Sequence, residues 1–438
     1  MGFASADLQQ TLHSLPRPAA YLVAYSGGLD SHVLLHAMAQ LRDELDVPVQ
    51  AVHVAHGLQA VAEDWVGHCR AVCAALDVPL QVARLGLQPA PGQSVEAVAR
   101  EARYGALAEL LQNDEMLLTA QHRDDQAETL LLQLLRGAGI EGLAAMPACR
   151  PWAGGWHARP LLASGREALH AYALDHGLQW IDDPSNQDQR FDRNYLRHTV
   201  MPVLLARWPG ASRTLARSAS HLAGAMHTLH ALADADLQAC AGAHGCLSVS
   251  ALLGLPLQRR QATLRAWVRR HGVAVPDQAR LAEIETSVLA AGPDSSPLVT
   301  WGETGVRRYR DQLWLLPAAQ AQAPVQLAWP DRPELVLPAG CGRLRRAPAQ
   351  AGIPDRYWRE GRVTVRWRSE GLRCRPRGRE GTRSFKKLAQ ELGIPPWQRD
   401  QVPLLYVDEQ LAAVADYCLC GEPEAHPGDT FSRLYWEQ

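Results

Sequence analysis

Two short polar stretches of this sequence hold the residue types that could do chemistry on a phosphate ester. The first, Ser26-Gly-Gly-Leu-Asp-Ser31, lies between an apolar segment, Tyr21–Tyr25, and a helical pattern, His32–Gln40. Gly27 and Gly28 let the backbone take positive φ and come close to a ligand. The serine hydroxyls and the free N–H groups at the start of the following helix both favour a phosphate. The stretch therefore predicts a phosphate cradle between a strand and a helix.

Asp30 is the acidic member of this loop, and a carboxylate beside phosphates needs a cation between them. Mg²⁺, which binds through one or two carboxylates together with phosphate oxygens, fits that need. A plain tight turn would explain the two glycines alone, but the six-residue string is much more specific. The Walker A loop is excluded because it requires a lysine. The two lysines of the chain, Lys386 and Lys387, follow no glycine-rich loop.

The second stretch, Thr119–Thr129, also leads from a strand into a helix and holds His122, Asp124, Asp125 and Glu128. Spacings of three and four residues place the carboxylates on neighbouring helical positions. They could simply stabilise the helix dipole, by about 0.3–1 kcal/mol each. However, ligands of parallel sheets bind beyond the carboxyl ends of the strands, so both stretches should lie on one rim. Such a cluster could bind Mg²⁺ and still attract a cationic substrate.

The elements that position these stretches alternate between apolar strands and amphipathic helices from Tyr21 to Arg136. This alternation predicts an α/β fold, with a parallel sheet flanked by helices. Residues 211–291 have helical spacing and predict a small helical domain, with strand character returning at 298–316. The composition of residues 318–330 predicts a linker. The pattern of the residues that follow, up to residue 438, predicts a C-terminal α+β domain. We expect three domains, at residues 1–215, 216–325 and 326–438.

Composition narrows the class of protein. The chain has 438 residues, of which 21% are charged, and its apolar runs are shorter than the roughly 20 residues that span a bilayer. Its N-terminus lacks the pattern of a signal peptide. Nine scattered cysteines without a C-x-x-C pair favour thiols in a reducing compartment over disulfides or a metal site. We therefore expect a cytoplasmic protein without membrane contact.

The net charge of −2 hides a strong asymmetry. Residues 341–400 contain sixteen Arg and Lys against six Asp and Glu, a balance of +10, which leaves −12 for the rest of the chain. A concentrated basic segment favours a polyanionic partner such as a nucleic acid, although a solvated arginine-rich surface is the alternative. Trp367, Trp397 and Tyr406 could stack on bases or belong to the core.

Ser26–Ser31 resembles the PP-loop of the N-type ATP pyrophosphatases, which split ATP between its α and β phosphates. Beyond this loop the chain resembles the tRNA(Ile)-lysidine synthetases along its whole length, although residues 211–316 match mainly in helical character. The family often has a second histidine where Gln121 stands. The other stretches that carry the resemblance are Val52–Leu58, Ala99–Tyr104, Thr119–Thr129, Arg136–Gly139, Arg159–Leu162, Asp183–Asn186, Arg193–Arg197 and Ser384–Pro395.

The resemblance implies a two-step ligation with ATP and Mg²⁺ as cofactors and with free L-lysine and a CAU-anticodon isoleucine tRNA as substrates. ATP would adenylate C2 of the wobble cytidine, and the ε-amine of lysine would then displace AMP to give lysidine. The three domains would be catalytic, tRNA-contacting and tRNA-binding. The ATP-binding residues implied are Ser26, Gly27, Gly28, Leu29, Asp30 and Ser31. The Mg²⁺ ligands implied are Asp30 and one of Asp124 and Asp125.

The catalytic residues implied are Asp30, His122, Asp125 and Glu128. Here His122 would carry a proton, and Asp125 and Glu128 would hold and help deprotonate the lysine ammonium. The other substrate contacts expected are Arg100, Arg103, Tyr104, Arg193, Asn194, Lys386 and Lys387. For Arg100, Arg103 and Tyr104 a solvated helix face with a packed tyrosine is the alternative.

Three other functions compete with this one. A tRNA thiolase with the same loop would need a reactive cysteine pair or an iron–sulfur cluster, and the chain has no C-x-x-C. A PP-loop ligase of small molecules would have no use for the basic segment. A tRNA-binding module with a degenerate nucleotide site would not need the intact loop and the carboxylate cluster.

Overall fold

The computed structural model divides the chain into two compact units, Met1–Ala231 and Leu232–Gln438. The residues that it describes are 2–55, 62–86, 95–242, 245–292, 295, 297–317, 326–338, 341–367, 371–378, 381–421 and 424–437. Residues 56–58 of the Val52–Leu58 stretch and residues 318–325 of the predicted linker lie outside them.

The first unit is built on a six-stranded sheet in the order β3-β2-β1-β4-β6-β5. Its strands are β1 (Tyr21–Ala24), β2 (Val49–Ala55), β3 (Leu80–Arg84), β4 (Met116–Leu118), β5 (Cys149–Trp152) and β6 (Gly155–Ala158). Neighbouring strands are parallel, except that β5 pairs antiparallel with β6. The carboxyl ends of β1 and β4 are therefore side by side at one edge.

Helices cover both faces of this sheet. The helices of this unit are α1 (Ser5–His13), α2 (Leu29–Leu45), α3 (Ala62–Ala75), α4 (Val95–Leu110), α5 (Arg123–Leu135), α6 (Ile140–Leu143), α7 (Arg166–Asp175), α8 (Asp192–Tyr195), α9 (Met201–Arg207) and the first part of the long α10 (Ala211–Cys240), whose last residues belong to the second unit. A 3₁₀ turn spans Pro184–Gln187, and a π-helical turn, Leu196–Val200, joins α8 to α9. The largest core cluster of the unit packs α1, α2 and α7 against β1 and β4.

The helix after the first polar stretch begins earlier than the sequence pattern indicated. Gly28 caps it, so Leu29, Asp30 and Ser31 form its first turn rather than the end of a loop. This placement follows from Asp30 and Ser31, which are residue types that favour the first turn of a helix because they complement its free N–H groups.

The second unit contains four antiparallel sheets. One has the order β7-β10-β9-β8, the next two have the orders β11-β15-β18-β19-β20 and β12-β13-β21-β14, and the last pairs β16 with β17. The strands are β7 (Leu247–Ser248), β8 (Leu298–Trp301), β9 (Thr304–Tyr309), β10 (Gln312–Pro317), β11 (Gln326–Ala328), β12 (Glu334–Val336), β13 (Arg343–Ala349), β14 (Ile353–Pro354), β15 (Val363–Arg366), β16 (Arg373–Cys374), β17 (Arg383–Ser384), β18 (Leu404–Val407), β19 (Gln410–Val414), β20 (Cys418–Leu419) and β21 (Phe431–Glu437).

The helices of this unit are α11 (Val249–Leu253), α12 (Leu257–Arg270), α13 (Gln278–Glu283), which continues into a π-helical segment at Ile284–Leu289, α14 (Arg356–Arg359) and α15 (Phe385–Glu391). The predicted fold class is confirmed. The strand character predicted at 298–316 corresponds to three paired strands, β8, β9 and β10. No helix among the described residues is long and apolar enough to cross a membrane.

Candidate active site

The turn between β1 and α2 is held in shape by its two serines. The hydroxyl of Ser31 donates to the carbonyl of Gly28 at 2.9 Å and lies 3.0 Å from the hydroxyl of Ser26. The backbone N–H of Ser26 in turn donates to the Ser31 hydroxyl. These bonds close the turn around the N-terminus of α2, where N–H groups without helical partners can receive an anion.

Gly27 has two reasons to be glycine. Its φ of +87° lies in the region that side chains disfavour, and an added Cβ would lie 3.1 Å from Cδ1 of Ile181 and 3.2 Å from Sγ of Cys69. At Gly28 the space is ordinary, with the nearest atom, the Ser26 hydroxyl, at 3.5 Å. The turn is therefore fixed from behind by packing as well as by its own hydrogen bonds.

His122 connects the two polar stretches. Its Nε2 atom lies 3.6 Å from Oδ2 of Asp30 and 3.5 Å from Oδ2 of Asp125. Its Nδ1 atom accepts hydrogen bonds from the backbone N–H groups of Asp124 and Asp125, as the N-cap of α5. Because Nδ1 is an acceptor, the ring proton of the neutral imidazole lies on Nε2 and faces the carboxylates.

Burial and the neighbouring carboxylates act on the pKa of His122 in opposite directions. Burial disfavours an imidazolium, but the hydrogen bond to Asp30 and the charges of Asp125, Asp30 and Asp124 outweigh it, so the pKa of His122 is raised. Burial also opposes ionisation of Asp125. The charges of His122, Arg193 and Arg197 outweigh that effect and lower the pKa of Asp125.

The three acidic residues expected to bind metal differ in their partners. Asp30 Oδ1 is buried and has no hydrogen-bond partner among the described residues. Asp124 Oδ2 accepts from the backbone N–H of Arg166, and Asp125 Oδ2 accepts from that of His122. Asp30 is therefore the carboxylate with an oxygen in need of a partner.

Glu128 is almost fully buried and lies against two arginines. Arg197 Nε donates to Glu128 Oε1 at 2.7 Å, and Arg197 Nη2 donates to Glu128 Oε2 at 2.9 Å. Arg193 Nε donates to Oε2 at 3.0 Å, and Arg197 also reaches Asp125 Oδ1 at 2.8 Å. A carboxylate has about four acceptor positions. Described residues occupy three of those on Glu128 and leave one position on Oε1 without a donor from the described ranges.

The sequence predicted a role at the site for Arg193 but not for Arg197, although both residues lie in the stretch Arg193–Arg197. Their spacing of four residues puts both guanidiniums on one face of the α8–α9 segment, which was the available signal. The site contains four carboxylates, at positions 30, 124, 125 and 128, and two guanidiniums, those of Arg193 and Arg197. With His122 neutral, its net charge is therefore −2. The site still favours cations.

Asn194 lies beside this network rather than in it. Its side-chain nitrogen donates to the backbone carbonyls of Ser185 and Asp188, both at 3.0 Å, and the residue is buried. In the structure, Asn194 therefore fastens the 3₁₀ turn before α8. A direct contact with substrate stays a prediction for this residue, as it does for Arg193.

Arg100, Arg103 and Tyr104 lie together on α4, as their spacing predicts. The exposed Arg100 guanidinium lies 5.3 Å from the centre of the Tyr104 ring, and that ring contacts Trp152 and His157. Burial lowers the pKa of Arg103. Tyr104 is therefore packed against other rings, while Arg100 is exposed. Binding of substrate by Arg100, Arg103 and Tyr104 stays a prediction.

A polar chain behind Tyr104 was not anticipated. His157 Nε2 lies 2.8 Å from the hydroxyl of Thr119, which donates to Gln121, and Arg159 Nη2 lies 3.4 Å from His157 Nδ1. Burial, together with the charge of Arg159, lowers the pKa of His157 to about 3. These hydrogen bonds hold the side chain of Gln121, which stands where the family often has a second histidine.

In the second unit, Lys386 and Lys387 are exposed in the first turn of α15. Many arginines of the basic segment have acidic partners, such as Arg362 with Asp408 and Arg366 with Glu409. Exposed arginines of this segment for which no ion pair is described include Arg359, Arg373, Arg375 and Arg377. The aromatic residues considered for base stacking, Trp367, Trp397 and Tyr406, are buried in the core.

Comparison with known proteins agrees with this geometry. Residues 4–204 match the PP-loop domain family, residues 247–314 the TilS substrate binding domain, and residues 363–436 the TilS substrate C-terminal domain. A tRNA(Ile)-lysidine synthase of Coxiella burnetii is 42% identical over 425 residues, which cover 97% of this chain and 94% of that protein.

Two further curated relatives carry the same name. The protein of Methylococcus capsulatus is 44% identical over 400 residues, covering 90% of this chain and 91% of the relative. The protein of Alkalilimnicola ehrlichii is 45% identical over 427 residues, which cover 96% of this chain and 95% of the relative. With a PP-loop whose turn meets a carboxylate cluster, and with identity sustained over nearly its full length, the chain belongs to the tRNA(Ile)-lysidine synthase family.

Proposed function

We propose that this chain is an ATP-dependent ligase that joins free L-lysine to C2 of the wobble cytidine in the CAU anticodon of an isoleucine tRNA. ATP first adenylates the C2 carbonyl oxygen and releases pyrophosphate. The ε-amine of lysine then attacks C2 and displaces AMP, which gives lysidine. The observation that supports this best is the contact of the PP-loop residue Asp30 with His122, because it joins a phosphate turn to a cation-binding cluster.

The turn at Ser26–Ser31 is suited to hold the triphosphate. Ordered hydroxyls and the start of α2 face the same point, and Gly27 lets the backbone approach closely. Asp30 fits Mg²⁺, since its buried Oδ1 has no hydrogen-bond partner in the part of the chain that the structure describes, and Asp124 or Asp125 would complete the protein's share of the ligands. Bound there, the ion would neutralise charge as pyrophosphate leaves.

Few protein ligands suffice for this ion. No group of three His, Cys, Asp or Glu side chains within the described ranges forms a ready-made metal site. Mg²⁺ in phosphoryl-transfer sites is held through one or two carboxylates plus substrate phosphates. Asp30 with one neighbour therefore meets the requirement.

Asp125 and Glu128 would receive the ammonium of the incoming lysine. The excess negative charge of the cluster attracts it, and the open acceptor position on Glu128 Oε1 can take one N–H. Arg193 and Arg197 hold both carboxylates in place, so the ammonium meets a preorganised site. These carboxylates would take the proton as the amine becomes nucleophilic, and His122, whose Nε2–H faces Asp30 and Asp125, would act as a proton carrier beside them.

The second unit would bind the body of the tRNA. Lys386, Lys387 and the exposed arginines at positions 373, 375 and 377 can contact phosphates. Arg100, Arg103 and Tyr104 would contact the anticodon arm or its phosphates at the catalytic unit. We keep the division into a catalytic domain at 1–215, a tRNA-contacting domain at 216–325 and a tRNA-binding domain at 326–438 as part of this proposal.

The test is to incubate the purified chain with ATP, Mg²⁺, labelled lysine and an unmodified CAU-anticodon tRNA(Ile) transcript. Mass spectrometry of the digested RNA should show cytidine converted to lysidine, with pyrophosphate release that requires the tRNA. A matched transcript with a GAU anticodon is the control and should accept no lysine. Pyrophosphate release without tRNA would instead indicate a ligase of small molecules, and sulfur incorporation would indicate a thiolase.

A further inference from the structure

Three cysteines of the second unit lie on neighbouring chain segments that run antiparallel. Pro376 and Cys420 form an isolated β-bridge, and the N–H of Gly421 donates to the carbonyl of Arg375 at 2.9 Å. Side chains alternate between the two faces of an extended strand. Cys418 and Cys420 therefore share one face, and Cys374, two residues before Pro376, lies on that face as well.

The three sulfur atoms are in contact through Cys420. Its Sγ lies 3.9 Å from Sγ of Cys418, and its thiol also hydrogen-bonds to Cys374. Cys374 and Cys420 are buried in one core cluster, whereas Cys418 is partly exposed. A reagent from solvent would thus reach Cys418 first, and any change there can pass to Cys420 and then to Cys374.

We propose that Cys374, Cys418 and Cys420 form an oxidative modification site that reacts with a hydroperoxide and ends as a Cys374–Cys420 disulfide. In the first step the Cys418 thiolate attacks the terminal peroxide oxygen. The O–O bond breaks, the alkoxide leaves as an alcohol after taking a proton, and Cys418 becomes a sulfenic acid. The oxidant is the hydroperoxide, and the sulfur is oxidised by two electrons.

In the second step the Cys420 sulfur attacks the Cys418 sulfur. The S–O bond breaks, and hydroxide leaves with the Cys420 proton as water, which gives a Cys418–Cys420 disulfide. The Cys374 thiolate then attacks Cys420 and releases Cys418 as a thiolate. Overall, two thiols and one hydroperoxide give one disulfide, one alcohol and one water. A small thiol in excess reverses the change by exchange.

Two physical reasons favour Cys374–Cys420 as the end point. Residues two apart on one extended strand have Cβ atoms about 6–7 Å apart, a separation that the backbone fixes, whereas a relaxed disulfide needs about 3.5–4.5 Å. Cys374 and Cys420 lie on separate segments, which can shift toward each other. A Cys418–Cys420 bridge is therefore strained and open to exchange. The hydrogen bond from Cys420 and the charge of Arg383 lower the pKa of Cys374 despite its burial, a direction that favours the thiolate needed for exchange.

The test uses the full chain treated with tert-butyl hydroperoxide, blocked with N-ethylmaleimide, digested without reduction and analysed by mass spectrometry. We expect a cross-link between the peptides of Cys374 and Cys420 that disappears after dithiothreitol. Cys374→Ser should stop the sequence at a Cys418–Cys420 bridge, and Cys420→Ser should give no disulfide and leave Cys418 to over-oxidise. Cys149→Ser, in the first unit, is the matched control and should leave the cross-link unchanged.

Cys418→Ser tests the order of events. Because Cys418 is the partly exposed entry point, this variant should form the Cys374–Cys420 bridge several-fold more slowly than the unmodified chain. Equal rates in the two proteins, or the absence of the Cys374–Cys420 cross-link from the oxidised wild-type chain, would overturn the proposal. Circular dichroism of each reduced variant verifies that the fold is retained.

Discussion

Nε2 of His122 lies 3.6 Å from Oδ2 of Asp30, although the two residues are ninety-two positions apart in the chain. The contact exists because β1 and β4 are adjacent and parallel, so the turns that follow them meet at one edge. One turn is shaped for phosphates and the other concentrates negative charge. The chemistry of the site depends on their being joined.

Asp30→Asn should reduce tRNA-dependent pyrophosphate release by about 10²–10³-fold, because the amide keeps the shape of the side chain but removes its charge. The measurement is release of labelled pyrophosphate at saturating ATP and tRNA. Binding of tRNA, measured by filter retention, should be unchanged. Near-normal release by Asp30→Asn would refute the role assigned to this carboxylate.

Gly27→Ala should destabilise the protein, by about 1–3 kcal/mol, because alanine disfavours the φ of +87° and its Cβ would press on Ile181 and Cys69. Thermal denaturation of the chain without ATP measures this directly. The matched control is Gly28→Ala, where φ is negative and the nearest atom is 3.5 Å away. Equal melting temperatures for the two variants would contradict the packing argument.

Arg197→Ala should lower the free energy of unfolding by about 3 kcal/mol. The change removes the bidentate partner of the buried Glu128. Breaking such a pair typically costs about 3–5 kcal/mol. We expect the lower end of that range because Arg193 still donates to Glu128. Urea denaturation measures the loss. Combining it with Glu128→Gln should cost less than the sum of the two single changes, since the residues share one interaction.

The control for that experiment is Arg190→Ala. Arg190 is exposed, and its ion pair with Asp188 lies in water, so its removal should change stability little. A loss as large as that of Arg197→Ala would show that the arginine-to-alanine change itself, rather than the buried network, is responsible.

His157 should make the first unit less stable in mild acid. Its pKa is lowered to about 3 by burial and by nearby arginines, against an ordinary value of 6.5. Between these values the unfolded chain binds the proton and the folded chain does not, so stability is full above pH 6.5 and falls as pH falls. At pH 5 the loss is about 2 kcal/mol.

His157→Gln tests this, since glutamine can keep a hydrogen bond to Thr119 but does not titrate. The difference in free energy of unfolding between the variant and the wild type should shift by about 2 kcal/mol in favour of the variant between pH 7 and pH 5. A difference that stays constant with pH would exclude His157 as the cause.

Affinity for tRNA should fall steeply with salt. If Lys386 and Lys387 each neutralise a phosphate, changing both to alanine should reduce the slope of log K against log salt by about 1.5. Fluorescence titration of labelled tRNA at several salt concentrations gives the slope. Arg366→Ala is the matched control, because Glu409 already pairs with that guanidinium at 2.8 Å, and its slope should match the wild type.

The position of the two polar stretches could be predicted from sequence because local patterns determine it. Ser26–Ser31 and Thr119–Thr129 each follow a buried strand, and the alternation of strands and helices implies a parallel sheet whose carboxyl edge they share. The start of α2 at Leu29 was missed because periodicity alone does not locate the first turn of a helix.

The contacts of Arg197 and of Asn194 could not be predicted in the same way. The partner of Arg197 depends on where the π-helical turn lies against α5, and the partners of Asn194 depend on how the chain folds between the 3₁₀ turn and α8. The spacing of Arg193 and Arg197 indicates a shared face but does not identify the carboxylates that they meet. Trp367 and Trp397 illustrate a similar limit, since an aromatic residue in a basic segment has the same sequence signature whether it packs in the core or stacks on RNA.

The position of Lys386 and Lys387 in the second unit has a consequence for the first. An enzyme that converts a base into an electrophile for a primary amine risks being captured by its own side chains. The first unit contains no lysine, so no ε-amino group of that unit can compete with the free amino acid for the activated cytidine. Arginine, which stays protonated at physiological pH, supplies positive charge there without being a nucleophile.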